Sequence, residues 1–166
     1  MEQISTKILQ FQHISAATKE ATEYIKKRKN HEVKSLKTRW NKFNAVCMGG
    51  IEPNTVYTIV GISGSGKSSF VNTLENDLID LNSDQDVIVL NFSFEMLSSR
   101  QVGRKLSSKL RLTTAELYSA NNDLDNESLA KVEETSQQIK SYPIYYVDTP
   151  GTVEDIASTI DYFYEN

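Results

Sequence analysis

Residues 61–68 combine glycines, serines and a lysine at a spacing that suits phosphate binding. The stretch reads GISGSGKS and matches the pattern G-x-x-x-x-G-K-[ST] at every fixed position. Glycines let successive backbone N–H groups turn toward an anion, and a helix beginning at the lysine adds the partial positive charge of its N-terminus. In this pattern Lys67 reaches the β- and γ-phosphates of a nucleotide and Ser68 ligates Mg²⁺. The predicted nucleotide-binding residues are Gly61, Ser63, Gly64, Ser65, Gly66, Lys67, Ser68 and Ser69.

A strand and a helix are expected on either side of this loop. Residues 55–60 (TVYTIV) are β-branched and aromatic, which predicts a buried strand. From Lys67 onward, apolar residues recur at spacings of three and four, which predicts an amphipathic helix. These apolar residues are Phe70, Val71, Leu74, Leu78 and Leu81.

A carboxylate follows the next apolar run. Residues 87–92 (VIVLNF) are of strand length, and Glu95 stands just beyond them in the segment SFEM. Ligands bind at the carboxyl ends of parallel strands, so Glu95 could orient a water molecule for attack on the γ-phosphate. A carboxylate favoured by the dipole of the following helix is the alternative interpretation.

The rest of the chain predicts an α/β protein. Residues 1–30 read as one helix with a partly apolar stripe. Further on, we expect a helix at 98–112, a short second helix that begins at 113, and helices at 128–140 and 153–164. We also expect a polar turn at 121–126 and a strand at 143–147. Alternation of strands and helices indicates a mostly parallel sheet with helices on both faces.

Composition limits the class of protein. The chain has 166 residues, enough for one domain with a core. Its first 40 residues carry nine Lys/Arg against four Asp/Glu, and the remainder is acidic. Cys47 is the only cysteine, so no internal disulfide can form. There is no secretory signal and no apolar run of about 20 residues, which predicts a cytoplasmic protein without a membrane segment.

Several segments together resemble the RecA-like motor domain of DnaB-type replicative helicases. The resemblance covers residues 36–166 and rests on GGIEP at 49–53, the phosphate loop, SFEM at 93–96, Arg104, and DTPG at 148–151. It implies a RecA-like P-loop NTPase fold over residues 36–166, with residues 1–35 as an N-terminal helix or linker. It also implies that Glu95 and Lys67 act in ATP hydrolysis, with Mg²⁺ on Ser68.

The family resemblance further implies partners. DnaB-type helicases move along single-stranded DNA as hexameric rings and work with a primase or a loader. The chain departs from the family pattern in its lead-in, where TRWNKFN at 38–44 lacks the usual glycine and aspartate. No Walker B aspartate strand, DNA-binding loop or arginine finger follows. We therefore expect a truncated or partial motor that binds Mg²⁺·ATP weakly and forms no stable ring by itself.

Two other functions fit some of the same residues. DTPG at 148–151 also fits the D-x-x-G motif of GTPases, in which Asp148 would reach Mg²⁺ through water. A RecA-like recombination ATPase, or a nucleotide-gated assembly module without turnover, would share the phosphate loop. The basic residues of the helix after Glu95 could face DNA or a neighbouring subunit, although a solvated helix face is the more common outcome.

Overall fold

The computed structural model describes residues 10–120 and 124–166. Within these ranges seven helices and two strands follow one another along the chain. In order they are α1 (Ile14–Lys29), α2 (Asn41–Val46), α3 (Lys67–Asp80), β1 (Val89–Phe92), α4 (Ser98–Leu110), α5 (Thr114–Tyr118), α6 (Asn126–Ile139), β2 (Ile144–Val147) and α7 (Val153–Glu165).

The two strands pair in parallel, as the sequence predicts. Val89 lies opposite Ile144 and Phe92 opposite Val147. A parallel pair needs a long crossover connection, and α4, α5 and α6 supply it here. The α/β character and the parallel pairing are therefore confirmed.

The strand predicted at residues 55–60 is absent from the described part of the chain. This segment makes no backbone ladder, and Val56 and Val60 are 92% and 87% exposed. An extended segment becomes a strand only when a neighbour pairs with its backbone groups, and no described segment does so here. The described residues thus form a two-stranded parallel pair rather than the predicted larger sheet.

Side-chain caps set the starts of several helices. Thr113 and Glu116 form a capping box at α5, and Thr152 and Asp155 form a second one at α7. The predicted N-terminal helix begins only at Ile14, and residues 1–9 lie outside the described residues. The predicted turn at 121–126 also falls partly outside them.

The lead-in segment before the phosphate loop is attached to α3 by polar contacts. Asp77 accepts hydrogen bonds from the backbone N–H of Arg39 at 2.9 Å and from its guanidinium. Asn82 accepts one from the backbone N–H of Lys37 at 2.7 Å. The ring of Trp40 stacks on Phe70, with centroids 4.5 Å apart. The departures from the family lead-in therefore leave this segment firmly joined to the loop's helix.

The buried side chains of the described residues are polar. No large apolar side chain is fully buried there, and helices α3, α4 and α6 pack in series. The buried polar side chains are Ser35, Thr38, Asn72, Glu75, Asn76, Asp77, Asn82, Gln101 and Lys105. The predicted apolar face of α3 is only partly covered. The residues of this helix that are buried are the polar Asn72, Glu75, Asn76 and Asp77.

Candidate functional site

Two glycines of the phosphate loop have conformations that side chains disfavour. Gly64 and Gly66 have φ values of +77° and +91°, in the left-handed region where an L-residue is strained. Gly61 has no such conformation, and a Cβ there would approach Oγ of Ser65 to 2.5 Å, a contact that rotation of the serine side chain would relieve. Gly66 is the N-cap of α3, so the loop leads straight into the first turn of that helix.

Lys67 folds over the loop that precedes it. Its Nζ donates to the carbonyl oxygens of Gly61 at 2.7 Å and Ile62 at 2.9 Å. The side chain is therefore half-buried while the other residues from Gly61 to Ser69 are exposed. The first N–H groups of a helix have no intrahelical partner, so this ammonium and the start of α3 present positive charge at one accessible place. The arrangement suits an anion such as a phosphate group.

A cleft of about 300 Å³, here called the loop cleft, connects the phosphate loop with the end of β1. Lys67 and Ser68 line one side of it and Ser93 of the SFEM segment lies on the other. The remaining lining residues are Ile59, Val71, Asn72, Asn91, Phe92 and Gln101. The fold thus brings the two motifs from the sequence to a common cleft.

Glu95 lies two residues beyond Ser93, in the loop between β1 and α4. Its side chain is exposed, and it makes no hydrogen bond or ion pair within the described residues. The hydroxyl of Ser93 donates to the carbonyl oxygen of Met96 at 2.8 Å, which shapes this loop. The first turn of α4 contains no acidic residue, so Glu95 does not serve as its terminal carboxylate. Its assignment as a catalytic base stays a prediction.

Asp148, which follows β2, binds the N-terminus of α4 instead. Its carboxylate accepts a hydrogen bond of 3.0 Å from the backbone N–H of Ser98, the first residue of α4. The hydrogen bonds from Ser98 lower the pKa of Asp148 below its usual value. A carboxylate engaged with a helix N-terminus in this way has a structural role, which removes the main support for the D-x-x-G interpretation.

The basic residues of α4 have separate environments. Lys105 is 2% exposed and pairs with the buried carboxylate of Glu75, while burial lowers the pKa of its ammonium. Lys109 pairs with Asp80 at 2.7 Å. The guanidinium of Arg100 lies over the ring of Tyr118, 4.5 Å from its centre. The interpretation of a solvated basic face is therefore wrong for Lys105, whereas Arg100 is exposed.

Two remaining arginines line a second cleft, of about 450 Å³, between α3 and α4. Arg104 and Arg111 share it with hydroxyl-bearing residues, and no acidic side chain lines it. Neither arginine has an ion pair in the described part of the chain. Ser69 also lines this cleft, so the cleft is adjacent to the end of the phosphate loop. Sequence reasoning did not assign this grouping, in which Arg104 lies on α4 and Arg111 directly follows the end of that helix.

Neither a protein-only metal cluster nor a membrane span occurs in residues 10–120 and 124–166. No group of three or more His, Cys, Asp and Glu side chains there could hold a metal ion. No helix in these ranges is both long and apolar enough to cross a bilayer.

The comparisons with known proteins agree with this geometry. The family model of the DnaB-like helicase C-terminal domain matches residues 35–164, which include the phosphate loop, the SFEM segment and Asp148. A search of curated proteins gave no match. Since the family model matches well over half of the 166 residues, the chain belongs to the DnaB-like helicase C-terminal domain family.

Proposed function

We propose that this chain is the ATP-binding motor part of a DnaB-type replicative helicase. In this proposal, ATP hydrolysis drives movement along single-stranded DNA within a hexameric ring. The observation that carries it is the glycine-rich loop ending in Lys67 at the start of α3, in a chain of this family. Residues 36–166 would form part of a RecA-like domain with a mostly parallel sheet, and residues 1–35 would link subunits.

The phosphate loop supplies the binding groups. Backbone N–H groups from Gly61 to Ser69 and the N-terminus of α3 would face the phosphates. Lys67, which now contacts loop carbonyls, would transfer its hydrogen bonds to the β- and γ-phosphates. The hydroxyl of Ser68 is a suitable ligand for Mg²⁺, because this cation binds oxygen atoms of both the protein and the nucleotide phosphates. When bound, Mg²⁺ would neutralise charge that develops on the transferred phosphoryl group.

Glu95 would act as the general base. Its exposed carboxylate stands beyond β1, in the loop that begins at the cleft shared with Lys67 and Ser68. A base at this position would orient the attacking water toward the γ-phosphate and take a proton from that water. The cleft that contains Arg104 adds positive charge beside Ser69, which favours a polyphosphate at the same end of α3.

The other proposed partners come from the family. A primase or a helicase loader would contact the assembled ring, and the protein would work in the cytoplasm. GTPase activity is not favoured, because Asp148 caps α4 through Ser98.

Lys67→Ala tests the phosphate role. The substitution removes charge-assisted hydrogen bonds, which are worth about 1.5–3 kcal/mol, so Mg²⁺·ATP affinity should fall about tenfold or more. Equilibrium titration with a fluorescent ATP analogue measures this, and Lys42→Ala, an exposed lysine in α2, is the matched control. Equal affinity for Lys67→Ala and the parent would remove the phosphate role from this lysine. ATPase assays with and without single-stranded DNA then test turnover.

A further inference from the structure

Three polar contacts at successive turns join α3 to α4, and together they are here called the α3–α4 seam. The pairs are Asn72–Gln101, Glu75–Lys105 and Asp80–Lys109. Residue numbers increase in the same direction on both helices, so the two helices run parallel. Their N-termini therefore lie at the same end of the seam, with the phosphate loop before one and the Glu95 loop before the other.

The first pair of the seam is nearest to the proposed site. The Nδ2 group of Asn72 donates to Oε1 of Gln101 at 3.1 Å and to the carbonyl oxygen of Ser68 at 3.0 Å. Asn72 is 3% exposed and Gln101 8% exposed. One amide thus connects the turn that carries Ser68 with the first turn of α4. Both amides also line the loop cleft.

The start of α4 has few other attachments in the described residues. Leu97 at the N-cap offers no side-chain hydrogen bond, and Asp148 holds the first N–H of the helix from the end of β2. Asp148 therefore fixes the position of α4 relative to the strands, whereas Gln101 fixes it relative to the phosphate loop. A buried hydrogen bond is directional, and losing it leaves a buried polar group without a partner.

We propose that Gln101 is a positioning residue that, through Asn72, holds the loop carrying Glu95 in a fixed relation to Ser68. Its effect on turnover rests on the proposed ATPase function, whereas its effect on loop position does not. In this proposal Gln101 acts on the reaction through α4 and the loop before it. The third pair, Asp80–Lys109, is farthest from the site and partly exposed, so it contributes to helix packing and not to this positioning.

Three variants separate these roles. Gln101→Leu keeps a similar shape and removes the acceptor, whereas Gln101→Glu keeps an acceptor for Asn72. Lys109→Gln breaks the distant pair and is the matched control within the same seam. We expect Gln101→Leu to lower kcat about tenfold while the affinity for a fluorescent ATP analogue changes less than threefold, since binding and turnover depend on different contacts. Gln101→Glu should restore most of kcat, and Lys109→Gln should leave kcat unchanged.

Loop position has a readout that needs no activity. The chain has three methionines, so ¹³C-methyl labelling gives few signals, among them Met96 beside Glu95 and Met48 as an internal reference. Without nucleotide, Gln101→Leu should shift or broaden the Met96 signal, while Gln101→Glu and Lys109→Gln leave it near its parent position. An unchanged Met96 signal in Gln101→Leu would overturn the positioning role. So would equal effects of Gln101→Leu and Lys109→Gln on it. A parent chain that hydrolyses no ATP, with or without single-stranded DNA, would count against the proposed function alone, because the Met96 comparison still decides the positioning role.

Discussion

Individual carboxylates and cations in this protein differ in the contacts that they make. Lys67 stands at an accessible helix N-terminus with loop carbonyls as its partners. Asp148, which could be taken for a metal-binding carboxylate, is bonded to the first N–H of α4. Glu95 has neither kind of contact within the described residues and is exposed. Glu95 is therefore the carboxylate that the proposed proton transfer would use.

Glu95→Gln should separate binding from turnover. A base acts on the attacking water and not on the bound phosphates, so the Kd for Mg²⁺·ATP should stay within about twofold of the parent. Turnover should fall about 10²- to 10⁴-fold, the usual contribution of a general base. Glu133→Gln, on an exposed position of α6, is the control for removing a carboxylate. If Glu95→Gln lowers the free energy of unfolding and leaves turnover intact, the carboxylate is structural.

Asp148 should give folding a dependence on acid pH. Its pKa is lower in the folded chain than its unfolded value of about 3.9, because Ser98 donates to the charged form. The stabilisation is therefore present above pH ~4 and is lost as the pH falls through the folded pKa. We expect Asp148→Asn to lower the urea midpoint of unfolding near pH 7 and to differ less from the parent below pH ~4. Asp161→Asn, on an exposed part of α7, should show no such convergence.

At the scale of elements, α3 and α4 form the part of the molecule that joins the two halves of the site. Glu75 is the centre of their contact, since it accepts from Lys105 and from the side chain of Asn91 on β1. It also faces Tyr146 on β2, whose hydroxyl is buried without a partner in the described residues and whose pKa is raised by burial and by this carboxylate. One buried carboxylate thus connects the helix of the phosphate loop with β1 and with α4.

Breaking this pair should cost far more than replacing it. Glu75→Leu leaves the buried ammonium of Lys105 uncompensated and should lower the free energy of unfolding by about 3–5 kcal/mol. The double substitution Glu75→Leu with Lys105→Met should recover most of that loss, because two apolar side chains suit a buried position. Recovery stays incomplete, since Asn91 loses its acceptor. Urea unfolding of the parent, the two single variants Glu75→Leu and Lys105→Met, and the double variant measures the coupling. Additive effects of the two substitutions would contradict a paired role.

At the scale of the whole molecule, apolar surface lies outside and polar contacts inside. The described residues bury no large apolar side chain completely, and many large apolar side chains are exposed. Val56 and Val60, just before the phosphate loop, are almost fully exposed. Contiguous exposed apolar surface on a protein commonly marks a surface that another chain or segment covers. The exposed apolar side chains fit the proposed function, in which neighbouring subunits or segments would cover them.

The isolated chain should therefore associate with itself as its concentration rises. Light scattering with size-exclusion chromatography should show growing mass over a concentration series, together with binding of a hydrophobic dye. Val56→Thr with Val60→Thr should reduce both signals without lowering the free energy of unfolding, because these side chains already contact solvent. Leu74→Thr, a half-buried position of α3, is the contrasting variant and should destabilise the fold. A parent chain that stays monomeric and binds no dye would contradict the expectation.

The features that short-range physics controls could be read from the sequence alone. Glycine at 64 and 66 meets a backbone requirement within the loop, and Thr113 with Glu116 closes a capping box over four residues. The apolar runs at 87–92 and 143–147, separated by helices, predicted the two strands and their parallel pairing, although β1 begins at Val89 and β2 at Ile144. The residues of the phosphate loop are predictable for the same reason, since their geometry depends on neighbours in sequence.

Only the tertiary structure decided which polar residues meet. Asn72 and Gln101 are 29 residues apart in sequence, Glu75 and Lys105 are 30 apart, and Asp148 reaches Ser98 across 50. Residues 55–60 had a strand pattern and formed no strand, because pairing requires a neighbour that their own composition cannot supply. Local patterns determine which conformation a segment favours, whereas contacts between distant segments depend on how helices pack. The sequence alone showed α4 only as a basic helix. Its packing against α3 is what buries Gln101 and Lys105 as partners of Asn72 and Glu75, between the phosphate loop and the loop that carries Glu95.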